Sequence, residues 1–87
     1  MFPISLLRRN KIYGLRKHYD RVREHADKMK DYNRKIQILR MLDMVEPSLI
    51  LLEENRIQSR FEKRRLVAQI NATVENANEL VKMKDMR

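Results

Sequence analysis

Eighty-seven residues, a net charge of +8 and no cysteine bound this chain to one small domain, and exclude disulfides, thiolate-bound metals and a cysteine nucleophile. One glycine and two prolines are too few turn formers for an all-β domain, and 37% charged residues against 6% aromatic describe long helices rather than a thick globular core. No apolar run approaches the roughly 20 residues needed to cross a bilayer.

Residues 1–19 contain Arg8, Arg9, Lys11, Arg16 and Lys17 and no acid, with Phe2, Ile4, Leu6 and Leu7 scattered among them. An Arg-rich, acid-free amphipathic start resembles a mitochondrial targeting segment, and its apolar stretch is too short and interrupted for a secretory signal. The expected compartment is mitochondrial. A nuclear or cytoplasmic protein, whose basic arm lies on RNA or protein in its own right, is the alternative. Residues 1–11 are set apart as this arm and 12–87 as one helical domain.

The first helix is expected over about 12–45. Ile12, Tyr19, Ala26 and Asn33 recur every seven residues, interleaved with Leu15, Val22, Met29 and Ile36, an apolar seam with one polar member. Asn33 either sets the register of a coiled coil or lies on the surface of a helix that is not a strict one. Glu24–Lys28 and Asp31–Lys35 have the spacing of favourable i,i+4 ion pairs.

Glu46-Pro47-Ser48 reads as a break, because an interior proline loses a backbone bond and clashes with the preceding turn, at about 3 kcal/mol. Proline is tolerated in the first turn of a new helix, which places a second helix over about 48–84. Its seam is less regular: Ile50, Ile57 and Phe61, then Val67, Ile70, Val74, Ala77 and Val81, with a stutter-like change of phase near 57–67. The two stretches match in length at about 50 Å each. The expected fold is therefore all-α: two long antiparallel helices in a helical hairpin or coiled coil, hinged at Pro47. One long kinked helix that assembles between molecules is the alternative.

Around that hinge, eleven of the seventeen residues 36–52 are apolar. One partner helix cannot cover them all, so Ile38, Met41, Leu42, Met44, Val45, Leu49, Leu51 and Leu52 are expected to form a tip that docks on another protein. Arg40, Asp43 and Glu46 interrupt the run and argue against membrane insertion.

The charge is lopsided. Residues 1–40 carry twelve Lys/Arg against four Asp/Glu, whereas residues 41–87 carry eight of each. Arg9, Arg16, Arg23 and Lys30 flank the first seam at seven-residue spacing, and no acid flanks the second seam where the hairpin would bring it. Arg8, Arg9, Arg16, Arg23 and Lys30 are thus the expected contacts to an anionic partner, since arginine grips phosphate or carboxylate with two parallel bonds. The plainer alternative is a row whose stems lie along the seam with their heads in water. Arg56, Arg60, Lys63, Arg64 and Arg65 around Phe61 form a second basic cluster, read first as a solvated face and second as a nucleic-acid patch.

Catalytic groupings are sparse. His18 and His25 stand about 10.5 Å apart along a helix, too far to share a metal ion unaided, and read as residues flanking the seam. Glu53 and Glu54 diverge on a helix, and the lone Gly14 cannot build a phosphate loop. No cofactor, metal, small-molecule substrate or enzymatic activity is expected. The expected role is a non-catalytic helical subunit of a larger assembly. Its basic half would contact an acidic partner, RNA foremost, as in a mitochondrial ribosome, and its apolar tip would dock on other protein subunits. The alternatives are a protein-only coiled-coil adaptor or homo-oligomerisation module of a chromatin or cytoskeletal complex, and a peripheral inner-membrane assembly factor resting on an anionic membrane surface.

Overall fold

The computed structural model describes residues 4–83, with side chains from residue 11 onward. The chain is all-helical across these residues, as expected, but it folds into three helices: α1 (Ile4–Asp27), α2 (Tyr32–Glu53) and α3 (Arg60–Lys82). Each helix packs on both of the others. The expected two-helix hairpin hinged at Pro47 is therefore corrected to a three-helix, up-down-up bundle. Its two connections lie at 28–31 and 54–59.

Neither connection needs a glycine. At the first, α1 closes with bonds from the Lys28 and Met29 amides to the His25 and Ala26 carbonyls, at 3.2 and 3.1 Å. Asp31 then adopts extended backbone, and its carboxylate accepts the Arg34 amide at 3.2 Å. Such a cap is worth about 1 kcal/mol. Asp31 thus starts a helix rather than pairing with Lys35 inside one, and Lys35 Nζ donates instead to the Asp27 carbonyl at 3.0 Å. At the second connection Asn55 takes the left-handed conformation, with φ of 57°. The Asn55 amide bonds the Leu52 carbonyl at 3.1 Å and the Arg56 amide bonds the Leu51 carbonyl at 3.0 Å, the paired pattern of a Schellman stop. Ser59 then caps α3 by accepting the Glu62 amide on its hydroxyl at 3.2 Å.

Pro47 lies inside α2 and faces solvent. It removes the bond that would reach the Asp43 carbonyl, yet the helix continues, and burial explains why. Leu42, Val45, Leu49 and Leu52 keep helical spacing across the proline and are all buried. Each such side chain gains about 1.5–3 kcal/mol on burial, so the four together exceed the cost of an interior proline.

The core runs the length of the bundle. Leu15, Tyr19, Val22 and Ala26 come from α1, Ile38, Leu42, Val45, Leu49 and Leu52 from α2, and Leu66, Ile70, Val74 and Ala77 from α3. The first seam therefore holds through Met29, which is partly buried, and ends at the exposed Asn33. Arg16 of α1 meets Glu53, and Arg23 meets Asp43, so α1 and α2 are antiparallel. Arg34 at the start of α2 reaches the Met83 carbonyl past the end of α3, so those two are also antiparallel. Helices α1 and α3 consequently run the same way, and His18 of α1 faces Glu75 of α3 at 2.8 Å.

Candidate functional site

Two of the arginines expected to await an external anion are held inside the molecule. Arg16 grips Glu53 with two bonds, Nε to Oε2 at 2.9 Å and Nη2 to Oε1 at 2.7 Å, and its Nη1 lies 3.7 Å from Glu46 and 3.5 Å from Asp20. Arg23 donates from Nη1 to both Asp43 and the Tyr19 hydroxyl, each at 2.9 Å. Tyr19, buried under this ladder, also carries the Arg16 guanidinium 5.2 Å from its ring centre. Donating to the Glu53 and Asp43 carboxylates raises the pKa of Arg16 and Arg23 respectively, and the bond from Arg16 holds the Glu53 carboxyl below the usual range. Burial pushes the Tyr19 phenol up. The expectation that this row lacks partners within the chain is thus corrected for Arg16 and Arg23. Its cause is the extra turn at 28–31, which lays α2 and its acids beside α1 instead of extending α1 with them.

Lys30 is exposed in the first connection and forms no ion pair among the described residues. The side chains of Arg8 and Arg9, and the arm 1–11 apart from Lys11, lie outside the described side chains. Lys17 projects over the Tyr13 ring at 5.6 Å.

A second basic group surrounds the start of α3. Phe61 is 77% exposed, and Arg60 and Arg64 beside it are exposed without ion pairs among the described residues. Arg65 is held by Glu62 through two bonds of 2.8 and 2.9 Å, which lower the Glu62 pKa and raise that of Arg65. Arg56 touches Glu54 at 3.4 Å, and Lys63 donates to the Asn55 side-chain carbonyl at 3.4 Å. Four cations in the first two turns of α3 face the positive end of the helix dipole, an arrangement that costs stability. The helix start itself was readable beforehand, because Ser59 and Glu62 have the spacing of a capping pair.

The residues expected to form a docking tip do not gather at a tip. They run along α2, the central element of the chain. Ile38, Leu42, Val45, Leu49 and Leu52 are buried in the core and Met41 is partly buried, while Met44 is 81% and Leu51 37% exposed. Met44, Pro47 and Leu51 recur at i, i+3 and i+7 on the side opposite the buried stripe, with Arg40 one turn before. Helix α2 is therefore apolar on two sides. An open groove of about 590 Å³ lies along this outer side, between Pro47, Ile50 and Leu51 on its apolar wall and Asp43 and Glu54 on its rim.

Among the described residues no cluster of acids and histidines could hold a metal ion, and no buried side-chain polar atom lacks a partner. No described helix is long and apolar enough to cross a membrane. Comparison with protein-family models, with curated proteins and with solved structures finds no match to this chain.

Proposed function

We propose that the chain is a non-catalytic helical subunit of a larger ribonucleoprotein, such as a mitochondrial ribosome, that meets RNA at the start of α3 and protein along the outer side of α2. The observation that carries the RNA half is Phe61, an aromatic ring 77% exposed beside Arg60 and Arg64, which form no ion pair among the described residues. A ring in that setting is a stacking platform for an unpaired base, and Arg60 and Arg64 are spaced to take the flanking phosphates. Folding alone would prefer acids in this first turn of a helix, so an anion outside the molecule gives these cations a role. The protein half is supported by the exposed Met44, Pro47, Ile50 and Leu51.

The test is binding of the full chain to single-stranded RNA across a salt series. Affinity should fall steeply as salt rises, and Phe61→Ala and the Arg60→Glu, Arg64→Glu pair should each weaken it by about tenfold or more. Binding that ignores salt, or that survives both changes, would overturn the reading.

A second reading, a protein-only oligomerisation module, is favoured by the internal pairing of Arg16 and Arg23. It requires that the isolated chain have no RNA affinity and associate through protein surfaces alone.

A further inference from the structure

We propose that the outer side of α2 is covered by the same surface of a second copy, the two helices packing antiparallel about a two-fold axis beside Pro47. The inference rests on reading this side as a docking surface, and it names the partner. Three observations carry it.

The first is shape. Met44 projects as an apolar knob, 81% exposed, and the groove walled by Pro47, Ile50 and Leu51 lies one turn away on the same helix. Residues equally far before and after Pro47 become level when two such helices pack antiparallel about it. Met44 stands three residues before Pro47, and Ile50 and Leu51 stand three and four after, so each copy's knob meets the other copy's groove. The second observation is charge. Arg40 stands seven residues before Pro47 and Glu54 seven after, so the exposed Arg40 of each copy lies level with the exposed Glu54 of the other. Arg40 has no ion pair among the described residues, and Glu54 has only the 3.4 Å contact of the neighbouring Arg56.

The third concerns why this side and no other. Every copy carries +8, which opposes association. Residues 40–56 carry Arg40 and Arg56 against Asp43, Glu46, Glu53 and Glu54, so the positive surplus of the chain does not extend to this side and both signs are present for pairing between copies. One helix on another buries less than about 1,000 Å² in total, so the dimer is a weak one, with a dissociation constant on the order of tens of micromolar.

Sedimentation of the full chain without nucleic acid, over about a hundredfold range of concentration, tests it. The wild type should pass from monomer to dimer. Met44→Glu, at a position that does not touch the core, should weaken the dimer about tenfold or more while helical circular dichroism is unchanged. Arg40→Glu and Glu54→Arg should each weaken it, and the two together should recover it, as only a reciprocal pairing allows. The chain has no native cysteine, so Pro47→Cys should give a disulfide-linked pair under mild oxidation, whereas Arg21→Cys on α1 should not. A monomer at every concentration, a dimer indifferent to Met44→Glu, or a double variant that fails to recover overturns the proposal. Should the wild type stay monomeric while Met44→Glu abolishes capture of a different protein, the second copy is the wrong occupant and the docking surface stands. Should neither association nor capture respond, both readings fall.

Discussion

Arg16 and Arg23 on one side of the bundle, and Arg60 and Arg64 on another, are the same residue type with opposite fates. The first pair lies where α2 delivers Glu53, Glu46 and Asp43, and it becomes an internal clamp over Tyr19. The second stands at the start of α3 beside an exposed phenylalanine and forms no ion pair among the described residues. Whether an arginine is structural or available is thus decided by which helix the fold lays beside it. A count of charge along the chain cannot distinguish the two.

The sharpest way to break the clamp is to remove what it covers. Tyr19→Ala deletes a buried ring and the acceptor for Arg23, and should cost about 3–5 kcal/mol, read as a lower urea midpoint. Arg16→Glu sets a carboxylate among Glu53, Glu46 and Asp20 and should cost about 2 kcal/mol, more than removal of an ordinary surface ion pair. The reverse pattern is expected at α3. Arg60→Glu with Arg64→Glu should leave the melting temperature unchanged or raise it, because acids suit a helix start, while lowering RNA affinity about tenfold or more in a filter-binding titration. Ser59→Ala, which uncaps the same helix without touching its cations, should cost about 1 kcal/mol.

The smallest effect is with pH. The folded-state pKa of Glu53 lies below its unfolded value, so the stability from its pair with Arg16 is complete above the ordinary glutamate range and is lost as acidification passes through the folded value. Acid denaturation of Arg16→Ala should therefore be flatter than that of the wild type below about pH 4.5.

Much of the core was legible. Ile12 to Met29 and Ile70 to Val81 show helical spacing, and the structure buries or partly buries the seam residues of both. Leu66, outside the expected seam, is buried, because the phase near 57–67 is broken by a loop rather than bent by a stutter. The first turn was hidden for a physical reason. Residues 28–31 contain no glycine or proline, and Met29 and Ile36 happen to keep the heptad while the chain reverses. Asn33, the one polar seam member, and Asp31, a ready cap, were the available signals. At Pro47 the general penalty for an interior proline predicts a break, and the four buried side chains of α2 outweigh it. The site followed from the fold. The partners of Arg16 and Arg23 come from α2 only because the chain turns at 28–31, and Phe61, expected in a seam, lies on the surface.

The parallel course of α1 and α3 has one more consequence. Two backbone macrodipoles point the same way and one opposes them, leaving about half an elementary charge uncancelled at the bundle end where α1 and α3 begin and α2 stops. Arg56, Arg60 and Arg64 sit at that same end and reinforce it. In the field of a polyanion the molecule would be turned before it touches anything, arriving with Phe61 foremost and raising the share of encounters that succeed.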